Sequence, residues 1–220
     1  MCIRDRTYTY TSEGEFNITL TASDDNGNSD VAMGTVTISS ATFSAATLSN
    51  ADGKVWKLDG ANSYFVGPGA GSNEWWPGED NPDNRACQFD DEFIFTDGGV
   101  FDYDTKGAAY AEAYMGGTDN PGICINDADL PAPFDVFGSG MHAFSATDTE
   151  ITVTGAGAFI GFNKAFNGGE LDGMLAPVSE ITYEVLDYSR TADSEILTIT
   201  IDFSAGSVGE AYWTMRLIAE

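Results

Sequence analysis

The stretches ILTITIDF at 196–203 and AYWTMRLI at 211–218 decide the fold. Leu197, Ile199, Ile201 and Phe203 share one face of the first, while in the second Trp213, Met215 and Leu217 lie opposite Tyr212, Thr214 and Arg216. A period of two is the mark of a strand with one buried face. Runs at 55–58, 63–66, 88–95, 100–103, 151–154 and 181–188 also read as strands, and no stretch carries a helical period. The chain is expected to be all-β.

Strands of this kind close most naturally as a β-sandwich of jelly-roll type. A lipocalin-like closed barrel is the alternative, because strand patterning does not separate the two. Trp56 and Trp213 alternate with polar neighbours inside strands and are expected in the core. Two long polar loops, 67–86 and 107–140, interrupt the strands, and long irregular loops on a rigid scaffold are where function tends to sit.

Nearer the start, residues 15–23 alternate strictly, with Phe16, Ile18, Leu20 and Ala22 on one face. Asn26-Gly27 is a hairpin signal, and 31–38 returns as a β-branched strand. The run TYTYTSEGEFNITLTASDDNGNSDVAMGTVTIS at 7–39 resembles the closing strands of a polycystic-kidney-disease-type (PKD) domain, with its Y-x-Y opening, a Gly before the aromatic strand and a D-x-x-G turn. The resemblance implies a spacer or adhesion module on a cell surface. The leader MCIRDR at 1–6 fits nothing that follows and resembles translated adapter sequence, so it is expected to be non-native. The expected division is a PKD-type part at 7–40, a Ser- and Ala-rich linker at 41–52 and a second β domain at 53–220.

The formal charge of -26, from 35 acidic against 9 basic residues, repels phosphate backbones and anionic headgroups. Nucleic-acid partners are disfavoured. No apolar run is long enough to span a bilayer. Acidity of this degree suits a secreted protein in salty water, or else a merely well-solvated surface. With Cys2 set aside in the leader, Cys87 and Cys124 remain as an even pair, and a disulfide between them is expected in an extracellular chain; two buried thiols are the alternative.

The most informative loop is GPGAGSNEWWP at 67–77. A loop cannot easily bury two adjacent indoles, so at least one of Trp75 and Trp76 is expected to meet solvent. Beside Asn73 and Glu74 it would offer an apolar plate for sugar C–H groups and polar atoms for hydroxyls. Tyr64 and Lys164 are further expected hydrogen-bonding partners of that sugar.

Trp56, VGP at 66–68, NEWW at 73–76, CQFDDEFIF at 87–95 and GAFIGFNKAFNGGEL at 157–171 occur together. As a set they resemble the C-terminal domain of PKD-containing surface glycan-binding proteins of bacterial polysaccharide-utilisation systems. The resemblance implies non-catalytic capture of a polysaccharide at the outer-membrane or extracellular surface. The charge favours a neutral polymer, a β-glucan, over uronate or sulfate polymers.

A divergent β-sandwich glycoside hydrolase is the second reading, and a structural or adhesion module without a sugar ligand the third. Glycosidases of the laminarinase type carry E-[ILV]-D-x-x-E on one strand, and the nearest stretch here, Glu180 to Glu184, has Thr182 in place of the Asp. On a strand Glu180 and Glu184 would stand ~13 Å apart, beyond the ~5 to 9.5 Å that glycosidase mechanisms use. Asp90 and Glu92 would lie ~7 Å apart with Asp91 on the opposite face, as any D-x-E on a strand does. His142 is the sole histidine, which leaves little material for a catalytic triad or a zinc site. Asp80 and Asp83 in DNPDN, and the acidic stretch 24–30, offer oxygens of the kind calcium takes, and both also read as plain turns.

Overall fold

The computed structural model describes residues 14–219 apart from 25, 39–40, 118–121, 192 and 207–208. The expected leader at 1–6 and the Y-x-Y opening of the PKD-like run lie outside the described residues. The chain divides into two compact units, 1–41 and 42–220.

In the first unit β1 (Gly14–Ser23) and β2 (Ser29–Ile38) pair antiparallel in an unbroken register from Gly14↔Ile38 to Ser23↔Ser29. The Asp24 carboxylate closes the turn by accepting the backbone N–H groups of Asn26 and Asn28 and the Asn28 side-chain amide, all within 2.9 Å. Those bonds hold its pKa below the usual carboxylate range. Ile18 and Leu20 remain exposed, so this hairpin buries little of its apolar face within its own unit.

The second unit is built on one ring of strands: β3 (Lys54–Leu58), β5 (Glu92–Thr96), β6 (Val100–Asp104), β9 (Gly140–Ala146), β10 (Glu150–Thr154), β13 (Glu180–Arg190), β14 (Glu195–Asp202) and β15 (Tyr212–Ala219). All pairings are antiparallel, and β15 closes the ring by bonding β14 along its whole length on one edge and Leu58 and Lys57 of β3 on the other. The first half of β15 is paired instead with β4 (Tyr64–Gly67), which lies outside the ring. The strands therefore form one closed eight-stranded barrel in place of the two facing sheets of a jelly roll, an arrangement compatible with the barrel alternative. Short hairpins of β7 (Ala108–Ala111) with β8 (Ile123–Asn126), and of β11 (Ala165–Phe166) with β12 (Gly169–Glu170), complete the strand set.

Closure follows from the alternation in the sequence. Trp56, Phe93, Phe95, Phe101, Tyr103 and Ile151 are fully or almost fully buried on successive strands. Each such side chain contributes about 1.5–3 kcal/mol when withdrawn from water. The segment 157–163 seals the ring. Its Phe159 packs on Phe93, Tyr103 and Phe137, its Ile160 N–H donates to the Tyr183 hydroxyl at 2.9 Å, and a Cβ on Gly161 would stand 2.7 Å from Met215 Cγ. A segment that touches walls from β5, β6, β13 and β15 while fully buried is a plug. Among the described residues the barrel interior is filled by buried side chains.

Two local expectations change. The stretch 88–95 is not one strand: α2, a helical turn at Ala86–Phe89, precedes β5, and α1 (Ala45–Leu48) stands where a linker was expected. There Leu48 is fully buried and its carbonyl accepts the Trp56 indole N–H at 2.9 Å, so residues from 42 onward belong to the barrel unit.

Candidate functional site

The loop 67–76 leaves β4 and returns to it. Val66 and Trp76 exchange two backbone hydrogen bonds of 3.1 Å, and the Val66 carbonyl also accepts the Trp75 N–H at 3.2 Å. Gly67 makes the return possible, since a Cβ there would lie 2.5 Å from the Ser72 carbonyl oxygen. The Gly71 N–H donates to Thr214 Oγ1 on β15 at 3.1 Å, so the loop is fastened to the barrel wall as well.

This backbone sends the two indoles in different directions. Trp75 is 55% exposed, and Asn73 and Glu74 beside it are exposed too. Trp76 is half-buried and meets Tyr64 edge-on, with ring centroids 5.3 Å apart at 65°, and Trp213 at 5.9 Å and 70°. The Arg85 guanidinium lies 5.7 Å from the Trp76 ring and 4.5 Å from that of Tyr110. Trp76 is thus held by aromatic and cation–π contacts, whereas the Trp75 ring is left at the surface.

Tyr64 does not serve a surface sugar. It is 0% exposed, and burial pushes its hydroxyl pKa far above the ordinary tyrosine value. Tyr64 opens β4 as a strand residue, but no sequence signal shows that it faces inward against Trp76, Phe89, Phe162 and Trp213. Lys164 is engaged as well, its ammonium 3.4 Å from Glu170 Oε2, while Glu170 Oε1 accepts the Trp213 indole N–H at 2.5 Å. The structure therefore joins Tyr64, Trp76 and Lys164 in one supporting network through Trp213 and Glu170, and leaves Trp75, Asn73 and Glu74 at the surface.

Sequence reasoning passed over Arg85, Glu112 and Glu170. Glu112 is half-buried, and that burial raises its carboxyl pKa, offset by Lys164 and Arg85 and reinforced by Glu170. Glu170 lies within the quoted stretch 157–171 but nothing there singles it out, and no motif marks Arg85 or Glu112, because the three come from separate elements that only the tertiary fold brings together.

Several of the other candidates have structural partners, and the rest are exposed or lie outside the strands. The Cys87 and Cys124 sulfurs are bonded, with Cα atoms 5.8 Å apart, tying α2 to β8. Asn81 Oδ1 caps the turn Pro82–Arg85 by accepting the Asp83 N–H, and Glu79 takes the Asn84 amide at 2.9 Å and Arg85 at 3.5 Å; Asp80 and Asp83 are exposed. Among the described residues no three His, Cys, Asp or Glu side chains are grouped to hold a metal. Glu92 is bridged to Lys57 at 2.8 Å and Lys106 at 2.6 Å, Asp90 lies before the strand, and Asp91 is buried against Tyr103. Glu180 and Glu184 are exposed on β13. His142 packs on Phe101 at 5.8 Å, and burial lowers its pKa. A cleft of about 370 Å³ beside Lys54, Arg190 and Glu195 is polar, and Trp75 lines none of the described cavities.

Among the described residues no helix is long and apolar enough to cross a membrane. Comparison of the chain with protein-family models, with curated proteins and with solved structures finds no match.

Proposed function

We propose that the barrel unit is a non-catalytic polysaccharide-binding domain acting at a bacterial cell surface, and that its ligand is a neutral β-glucan. The observation that carries the reading is the exposed Trp75 ring on a loop pinned by the Val66 hydrogen bonds, with polar Asn73 and Glu74 alongside. A rigid aromatic plate meets the C–H face of a pyranose at little entropic cost, and the flanking side chains supply hydrogen bonds. Two further observations support the reading: the described barrel interior is occupied by buried side chains, which favours a ligand on the outer surface, and a charge of -26 favours an uncharged polymer. One plate adds about 1 kcal/mol beyond area burial, so affinity for a single sugar unit is weak and grows by repetition along the polymer. Affinity electrophoresis in β-glucan gels tests this. Wild type is retarded, Trp75→Ala runs freely, and no reducing ends appear during incubation.

The glycosidase reading draws on Glu112, a half-buried acid whose ionisation is opposed by the charge of Glu170, and on Glu170, which accepts the Trp213 indole N–H. Release of reducing ends that stops in Glu112→Gln would establish it in place of simple binding.

A further inference from the structure

Three side-chain oxygens without hydrogen-bond partners meet at one small void inside the barrel unit. They are Asp91 Oδ1, Gln88 Oε1 and Asn163 Oδ1, and their residues are only 2%, 3% and 6% exposed. Both amides are fixed in orientation: Gln88 Nε2 donates to the Gly161 carbonyl at 3.1 Å and Asn163 Nδ2 to the Tyr110 carbonyl at 2.9 Å. Asp91 Oδ2 is fixed as well, by the Tyr103 hydroxyl at 2.8 Å. Each of these residues lines the void and keeps one acceptor without a hydrogen-bond donor among the described residues. Three buried acceptors with no donor are costly.

A bridging water would relieve the cost, but the void nowhere admits a water-sized sphere. What remains is a proton. The charges that act on Asp91 are those of Asp90, Asp104 and Asp127, all negative and all opposing ionisation, and the cations closest to them are already committed: Lys106 to Glu92 and Asp104, Lys57 to Glu92. Arg85, packed on the Tyr110 ring, is paired with Glu79. We propose that Asp91 is a neutral carboxylic acid in the folded protein, its Oδ1 proton donated to the Gln88 and Asn163 amide oxygens, and that this shared proton latches the plug 157–163 to the barrel wall. Asp91 precedes β5, Gln88 belongs to α2 beside the disulfide and Asn163 to the plug, so one proton joins three segments, and the Tyr103 hydroxyl ties β6 to the same carboxyl through Oδ2.

The sign of the effect is set by linkage. A carboxyl that keeps its proton in the folded state and loses it in the unfolded state makes the native state bind more protons, so this site weakens stability as pH rises from the unfolded pKa towards the folded one. Burial dominates that raised value. Asp91→Asn supplies a permanent N–H donor in the place of the proton and keeps an oxygen for Tyr103. The test compares thermal melts of the full chain and its Asp91→Asn variant at about pH 5 and pH 8, with an infrared difference spectrum of wild type containing isotope-labelled aspartate. The expected result is a variant whose melting temperature exceeds that of wild type at pH 8 by more than at pH 5, and a protonated-carboxyl band from aspartate in wild type at pH 7. A variant less stable than wild type by the same margin at both pH values overturns the proposal, as does the absence of that band. Stabilisation of wild type, but not the variant, by Na⁺ or Ca²⁺ added to metal-free buffer also overturns it, since a cation then occupies the void. Should the variant not fold, the infrared band alone decides.

Discussion

Val66 and Trp76 exchange two backbone hydrogen bonds, each 3.1 Å, and this reciprocal pair determines where Trp75 points. It returns the loop to β4 in strand-like register, so adjacent residues face opposite ways. Trp76 turns in to Tyr64 and Trp213, and Trp75 turns out. Neighbouring tryptophans with opposite surroundings should respond differently to the same substitution.

Trp75→Ala should leave stability within about 0.5 kcal/mol of wild type, because the ring is largely in water. Trp76→Ala should cost about 2–3 kcal/mol, since it leaves a gap against Tyr64, Trp213 and Arg85. Paired chemical-denaturation curves check both values.

Gly67→Ala tests the loop without touching either indole. The new methyl meets the Ser72 carbonyl oxygen at 2.5 Å, so backbone must move, at about 1–3 kcal/mol. Glucan retention should fall although Trp75 is intact.

Replacing Cys87 and Cys124 by Ala removes a cross-link between positions 37 residues apart. Chain entropy places the loss near about 4 kcal/mol. A melt that matches wild type would show that α2 and β8 are held by their packing alone.

Glu195 controls part of the acid limb. Burial opposes its charge, but hydrogen bonds from Lys54 at 2.6 Å and from the Tyr188 hydroxyl outweigh that, and its pKa is lowered in the folded protein. A depressed carboxylate contributes stability that is present above its unfolded pKa of about 4.3 and lost as pH falls through the folded value. Glu195→Gln should therefore flatten the fall in melting temperature below about pH 4, measured by calorimetry across the acid range.

Deleting residues 1–41 should leave glucan retention unchanged, because the Trp75 loop and all its supports belong to 42–220. Loss of retention with the circular dichroism of the barrel preserved would assign part of the site to the hairpin.

Much of this fold was legible in the sequence because period-two alternation is local. It located β14 and β15 and put Trp56 and Trp213 in the core. Closure was not legible, since it depends on which distant edges meet, here β15 with both β14 and β3. β9 was missed because GMHAFSA offers only Phe144 as a strong apolar signal, with Met141 exposed on the other face. The run at 88–95 was read as strand throughout because CQF continues the apolar content of EFIF, yet Ala86–Phe89 makes one helical turn with Cys87 bonded to Cys124. At the site, turn formers around two adjacent indoles pointed to exposure, which Trp75 shows. Nothing local distinguishes Trp75 from Trp76, or marks Tyr64 as buried, because those outcomes follow from the Val66 pairing and from the cover that Trp76, Phe89, Phe162 and Trp213 provide.

The central claim is that a glucan lies on Trp75, and quenching of tryptophan fluorescence by acrylamide tests it most directly. Trp56 and Trp213 are buried and Trp76 is half-buried, so Trp75 supplies most of the quenchable emission. Saturating wild type with a soluble neutral β-glucan should lower the quenching constant, and Trp75→Ala, already poorly quenched, should show no change. An unaltered quenching constant in wild type at a glucan concentration that retards it in gels, or equal protection in Trp75→Ala, would contradict the account.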